Sequence, residues 1–298
     1  MKSYHDILGD GGSRVIEQVT AQRARIAEGL SRVAHLVAVG SGKGGVGKST
    51  LTLGLAGALR ARGMRIAIFD ADFNGPSQAR MAGVQAGVFV PGHDKFAVPR
   101  TGSGIGVFSM GSLLSESEAL DFDSEAQGDS HTWRATREFS LLGQILGSIE
   151  WGTLDVLLFD LPPGAERTVQ YADVLGGRTS FVLVTIPSEV SRGVVARSVT
   201  ALSSRPNHLI GYVENMSGYY CRDCDAVRPL FIARESQELA VPCLGTVPFD
   251  PELARHCDLG IPCAGLGETP AGQALDQIAQ RVLDTFDRPS LAQRANGG

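Results

Sequence analysis

One short segment constrains the fold more than any other. Gly42-Lys43-Gly44-Gly45-Val46-Gly47-Lys48-Ser49 fits G-x-x-x-x-G-K-[ST]. His35-Leu36-Val37-Ala38-Val39 precedes it, an apolar run that reads as a strand covered on both faces. Residues 51–59 follow with helical spacing. A strand, a glycine-rich turn and a helix in this order suit a phosphate group. Glycines let successive backbone N–H groups point inward, and the first turn of the helix adds partial positive charge. Lys48 is therefore expected to reach the β- and γ-phosphates of a nucleotide and Ser49 to ligate Mg²⁺. Gly42, Lys43, Gly44, Gly45, Val46, Gly47 and Thr50 complete the expected nucleotide contacts.

The rest of the chain repeats the alternation. Residues 65–69 form a second buried strand that runs into Asp70-Ala71-Asp72. Further strands are expected at 88–90, 106–110, 154–159, 181–186, 209–213 and 244–247. Helices are expected at 13–34, 139–149, 192–202 and 272–286. Strands alternating with helices predict an α/β fold: a single doubly wound, mostly parallel sheet with helices on both faces. Residues 1–34 read as an N-terminal helical extension, 35–287 as the nucleotide-binding domain and 288–298 as a disordered tail.

Composition narrows the function classes. A net charge of −5 gives no overall footprint for nucleic acid, so none is expected as a partner. No apolar stretch reaches about 18 residues and the start lacks a signal-peptide core, so a cytoplasmic chain without a membrane partner is expected. Five cysteines in such a chain point to burial, metal binding or reactivity rather than disulfides. Cys243, beside a strand, reads as core; Cys257 and Cys263 carry no pairing by short spacing. Residues 101–133 contain six acids and no Lys or Arg, which reads as a solvated loop. The 27 basic residues include only four lysines, Lys2, Lys43, Lys48 and Lys95. Two of the four fall within the glycine-rich turn. Lysine is a compact point charge that arginine does not replace, so both positions are singled out.

Two aspartates close strands: Asp72 follows the second, and Asp160 ends the most apolar one, in Asp160-Leu161-Pro162-Pro163-Gly164. Carboxylates at the C-terminal ends of parallel strands face the ligand crevice. Asp72 is assigned to orienting the attacking water and Asp160 to the water shell of Mg²⁺. Separately, Cys221-Arg222-Asp223-Cys224 offers two soft thiolate ligands on one short loop. A tetrahedral zinc or a four-iron cluster needs about four, which two chains would supply. A redox dithiol is the competing reading of the same spacing.

The run Lys43-Gly44-Gly45-Val46-Gly47-Lys48 resembles the deviant Walker A motif of dimeric P-loop ATPases. That resemblance implies a P-loop NTPase that closes face to face on ATP, with Lys43 reaching the nucleotide of the partner subunit. Asp70-Ala71-Asp72-Phe73-Asn74-Gly75-Pro76-Ser77, Asp160-Leu161-Pro162-Pro163-Gly164, Glu214-Asn215-Met216-Ser217-Gly218 and Trp151-Gly152-Thr153-Leu154-Asp155 resemble the Mrp (ApbC-type) family of iron–sulfur cluster carrier ATPases. The resemblance runs from about residue 35 to 285. It implies a Mg²⁺-dependent, slow ATPase acting as a homodimer, with Lys43, Lys48 and Asp72 in hydrolysis and Asn215 on adenine. It also implies a [4Fe–4S] cluster bridged by Cys221 and Cys224 of two subunits for delivery to apoprotein recipients. The chain departs from the family pattern at Ala165-Glu166-Arg167, at Ala135-Thr136-Arg137 and at 231–236. Two alternatives stay open: a partitioning or positioning ATPase of the MinD/ParA type, and a diverged paralogue that binds zinc.

Overall fold

The computed structural model describes residues 15–73, 75–84, 90–91, 96–112, 131–231, 239–261 and 267–286. Its elements in chain order begin with α1 (Val15–Gly29), β1 (Val33–Ser41), α2 (Lys48–Ala61), β2 (Ile66–Asp70), α3 (Gln78–Met81), β3 (Val90–Pro91), β4 (Phe96–Ala97) and β5 (Gly106–Phe108). There follow α4 (His131–Ser148), β6 (Ile149–Glu150), β7 (Leu154–Asp160), α5 (Ala165–Leu175), β8 (Thr179–Thr185), α6 (Glu189–Ser203) and β9 (Leu209–Cys221). The chain ends through β10 (Ala226–Pro229), β11 (Cys243–Phe249), α7 (Pro251–Leu259) and α8 (Pro270–Leu283).

The main sheet has the order β10-β9-β8-β1-β7-β2-β5, and β11 pairs with β9. Every pairing in it is parallel except that of β9 with β10. A small second sheet joins β3, β4 and β6. The fold is thus the doubly wound, mostly parallel α/β sheet that the alternation predicts. The chain leaves β1 in one direction for β2 and β5 and later in the other for β8 and β9. The C-terminal end of β1 is therefore a topological switch point, where such sheets bind ligands.

The sheet is covered on both sides, which is why its strands read as unbroken apolar runs. Successive side chains of a strand point to opposite faces. Val37, Val39, Ile66, Ile68, Val156 and Leu158 pack with Leu51, Leu55 and Leu59 of α2 and Leu275 and Ile278 of α8. The intervening Leu36, Ala38, Ala67, Phe69, Leu157 and Phe159 pack with Leu142 and Leu146 of α4, Tyr171 of α5 and Val195 of α6. Ile26 and Leu30 bring α1 onto this second face.

Several boundaries differ from the sequence reading. The first helix stops at Gly29 rather than near 34, because Val33 is already paired with Leu154 in the sheet. A Cβ at Gly29 would lie 2.5 Å from the Leu146 carbonyl oxygen, so helix α1 passes α4 closely there. Strand β5 stops at Phe108, since Ser109 turns toward Asp70. Strand β9 continues to Cys221, well past the expected residue 213. Cys243, expected in the core, is exposed on β11, while Cys257 is buried. The tail 288–298, Cys263, Asn74, Lys95 and residues 113–130 of the acidic stretch lie outside the described residues. Among the described residues no helix is long and apolar enough to cross a membrane.

Candidate functional site: a phosphate loop and a cysteine hairpin

Ser41 ends β1, and its hydroxyl donates to the Lys43 carbonyl at 3.0 Å, fixing the first turn of the loop. Gly45 and Gly47 have φ of 76° and 78°, the left-handed region that favours glycine. Two glycines are also required by close approach. A Cβ on Gly42 would overlap Val194 of α6, and one on Gly47 would collide with the Asn215 amide. Asn215 itself donates from Nδ2 to the Val46 carbonyl at 2.9 Å, so the loop is braced from β9. Gly44 and Gly45 are exposed, Lys43 and Thr50 are half-buried, and Lys48 opens α2 with 7% exposure.

Around Lys48 the strand ends converge. Asp160 is fully buried and forms an ion pair with Lys48 Nζ through Oδ1. Its Oδ1 also accepts from Thr52 Oγ1 at 3.3 Å and its Oδ2 from Gln78 Nε2 at 2.8 Å. Lys48 Nζ lies 3.4 Å from the Ser49 hydroxyl. Lys48, Ser49 and Asp160 therefore share one bonded network. Asp72 is half-buried beside it, and its Oδ1 accepts from the Gly75 backbone N–H at 3.2 Å.

Asp70 is the residue that sequence reasoning passed over in favour of Asp72. It faces Asp160 in register across the β2–β7 pair and is buried. Burial first, and the neighbouring Asp160 charge second, raise its pKa to about 6. Its carboxylate accepts from the backbone N–H groups of Asp72, Ser77 and Gln78 at 3.2, 3.0 and 3.0 Å and from the Ser109 hydroxyl at 2.8 Å. Asp70 thereby folds the segment carrying Asp72 back over the end of β2. Its signal in the sequence was its position as the last strand residue, equivalent to Asp160.

The cysteine pair sits on a hairpin. Beyond Asn215, β9 bends at Met216, a non-glycine residue with φ 53°, and its register with β11 shifts between Val247 and Phe249. Residues Gly218–Cys221 then pair antiparallel with β10, and the turn between the strands contains Cys224. Tyr219 pairs with Arg228 on one side and with Phe249 of β11 on the other. Since β8 and β11 flank the first half of β9 on opposite sides, β10 continues the line of β8 past its C-terminal end. The hairpin consequently projects from the same edge of the sheet as the phosphate loop. Cys221 is half-buried and Cys224 exposed. A hydrogen bond with Cys221, then the Arg228 guanidinium at 3.7 Å, hold the Cys224 thiol below the usual thiol range. Arg222, between the two cysteines, pairs with Glu252 of α7 at 3.3 Å. The hairpin and Arg228 carry no signal in the sequence, whose apolar run predicts a strand only over 209–213. Among the described residues no group of three or more His, Cys, Asp or Glu gathers as a metal site.

The chain is 36% identical over 277 residues to the iron-sulfur cluster carrier protein of Saccharolobus solfataricus, covering 91% of this chain and 90% of the relative. It is 37% identical over 265 residues to the cytosolic Fe-S cluster assembly factor NUBP2 of Bos taurus, covering 85% and 94%. Among solved structures, the nucleotide-binding protein of Archaeoglobus fulgidus in complex with ADP superposes with a TM-score of 0.66 at 30% identity, over 80% of this chain and 91% of that one. The septum site-determining protein MinD of Pyrococcus horikoshii, complexed with Mg-ADP, shares the fold with a TM-score of 0.60 at 21% identity, over 86% and 99%. The ParA family model, described as NUBPL iron-transfer P-loop NTPase, matches residues 32–283, and the chain belongs to that family.

Proposed function

We propose that this chain is an ATP-binding and ATP-hydrolysing homodimer that carries iron–sulfur clusters to apoprotein recipients. The observation that carries the reading is the common edge. The hairpin with Cys221 and Cys224 and the loop with Lys48 project from the same end of one sheet, joined by β9 through Asn215. A nucleotide-dependent shift of the loop therefore has a direct mechanical route to the cysteines. Two thiolates per chain are half of what a four-iron cluster needs. In this reading a second chain supplies the other two, and the cluster is cargo held between subunits. The relatives named as cluster carrier and assembly factor support the cargo.

In the nucleotide site, the backbone N–H groups from Gly44 to Ser49 cradle the phosphates and Lys48 neutralises them. Lys48 exchanges its partner Asp160 for the incoming phosphate. Asp70 and Asp160 together outnumber Lys48, so the pocket favours an added cation, and the Ser49 hydroxyl and the Asp160 carboxylate are hard oxygen donors suited to Mg²⁺. Bound there, Mg²⁺ would neutralise charge on the transferred phosphoryl group. Asp72 orients the attacking water, Asn215 faces the adenine end, and Lys43 reaches the partner's nucleotide across the dimer.

Anaerobic reconstitution with iron and sulfide tests the cargo. The expected result is a broad absorbance near 400 nm, about one cluster per two chains, lost in the Cys221→Ser/Cys224→Ser chain. Equal absorbance in both chains, or zinc alone in protein purified without oxygen, refutes it. Lys43→Ala is expected to abolish ATP-dependent dimerisation while leaving ADP binding to the single chain.

A further inference from the structure

Gln78 opens α3 and is fully buried, at 0% exposure. Its Nε2 donates to the Ser49 carbonyl at 2.9 Å and to Asp160 Oδ2 at 2.8 Å. Its backbone N–H donates to Asp70 Oδ2 at 3.0 Å. One residue thus ties together the phosphate loop, the end of β7 and the end of β2. The orientation of the amide is fixed by chemistry. A carbonyl and an ionised carboxylate accept hydrogen bonds only, so turning the amide over would set oxygen against oxygen at both contacts.

With Nε2 placed, Oε1 is left buried without a donor among the described residues. A native site rarely keeps a buried acceptor unpaired without a reason. The acceptor also belongs to the side chain that grips both proposed Mg²⁺ contacts, the Asp160 carboxylate directly and Ser49 through its carbonyl.

We propose that Gln78 is a positioning residue for the metal–nucleotide complex: Nε2 holds Asp160 and Ser49 in one frame, and Oε1 accepts a hydrogen bond from a water of the Mg²⁺ shell. The inference rests on the ATP and Mg²⁺ reading above and adds to it a residue that the motif does not contain.

The test is binding rather than turnover. Fluorescent ADP is titrated into the full chain in Mg²⁺ and in EDTA, and the ratio of the two dissociation constants isolates the metal-dependent part. Gln78→Met is expected to lower that ratio about tenfold, the scale of one hydrogen bond to a charged group. The affinity in EDTA should fall less than the affinity in Mg²⁺, because the amide reaches the nucleotide only through the Ser49 carbonyl but meets the metal shell directly. Gln78→Asn, which keeps donor and acceptor on a stem one methylene shorter, withdraws both from their contacts and is expected to lower the ratio as well. A Met variant that weakens equally in both buffers, or not at all, overturns the proposal. Should the Met variant not fold, an Asn variant with an unchanged ratio overturns it on its own. Failure of the unaltered chain to bind ADP in either buffer sinks the nucleotide reading itself. A normal Mg²⁺ response with unchanged variants removes only the role of Gln78.

Discussion

Replacing Lys48 with methionine in the nucleotide-free chain exposes how the empty loop is held. An exposed ion pair contributes about 0–1 kcal/mol, but Lys48 is 7% exposed and Asp160 is 0%. Removing one member of a buried pair strands the other charge, at about 3–5 kcal/mol. Thr52 and Gln78 still donate to Asp160, which puts Lys48→Met near the lower end, about 3 kcal/mol. Asp160→Asn strands Lys48 instead and is expected to cost a similar amount. The double variant removes both charges, so its cost should fall about 2 kcal/mol or more short of the sum. A pH dependence accompanies this. Asp70 has a folded pKa raised to about 6, so its contribution to stability is fully present below the unfolded value of about 3.9 and is lost as pH rises through about 6. Without Lys48, the Asp160 charge that raises the Asp70 pKa loses its paired cation. The penalty of Lys48→Met is therefore larger at about pH 7.5 than at about pH 5. Urea unfolding followed by far-UV circular dichroism at both pH values measures it. Strict additivity in the double variant, or a single-variant cost under about 1 kcal/mol, would show that the pair does not hold the empty site.

Three further perturbations address neighbouring parts. Gly47→Ala meets both a positive φ of 78° and the Asn215 amide; ADP affinity is expected to fall at least about tenfold, and isothermal titration that finds it unchanged removes the need for glycine. Arg228→Met takes away one of the groups that favour the Cys224 thiolate. The alkylation profile of Cys224 by peptide mapping should move to higher pH, and an unmoved midpoint means that Arg228 does not act on the thiol. Asp70→Ala takes one acceptor away from the Asp72, Ser77 and Gln78 N–H groups and from the Ser109 hydroxyl. It is expected to cost about 3 kcal/mol and to abolish the stability change between about pH 4 and about pH 6, both read from urea curves.

The parallel core was legible because its physics is local. Strands covered on both faces must be apolar throughout, and 154–159 and 181–186 announced themselves accordingly. The phosphate loop was legible because glycines are demanded by specific collisions, with Val194 at Gly42 and Asn215 at Gly47. Asp160 was legible as a polar residue closing an apolar strand. By the same criterion Asp70 should have been read as its pair, but Asp72, two residues on, drew the assignment. Only the register of β2 against β7 shows that Asp70 is the buried partner and Asp72 the more exposed one.

What the sequence hid is how far β9 extends. Its first half obeys the apolar rule, with Ile210 and Val213 in the core. Its last part, Gly218-Tyr219-Tyr220-Cys221, pairs with an edge strand whose side chains are mostly exposed, so burial imposes no apolar pattern there. The bend at Met216 depends on a positive φ at a residue type that gives no warning of it. Yet this continuation brings the two separate motifs to one strand and one edge of the sheet. Asn215 holds the Val46 carbonyl just before the bend, and Cys221 ends the same strand after it. Asn215 is thus the hydrogen-bonded contact through which the strand that carries the cysteines would receive a displacement of the phosphate loop. If the nucleotide controls the cysteine pair, Asn215→Ala should uncouple them: Cys224 alkylation that differs between ADP-bound and nucleotide-free protein would become the same in both. A difference that survives in the Asn215→Ala chain would assign the coupling to the partner subunit rather than to β9.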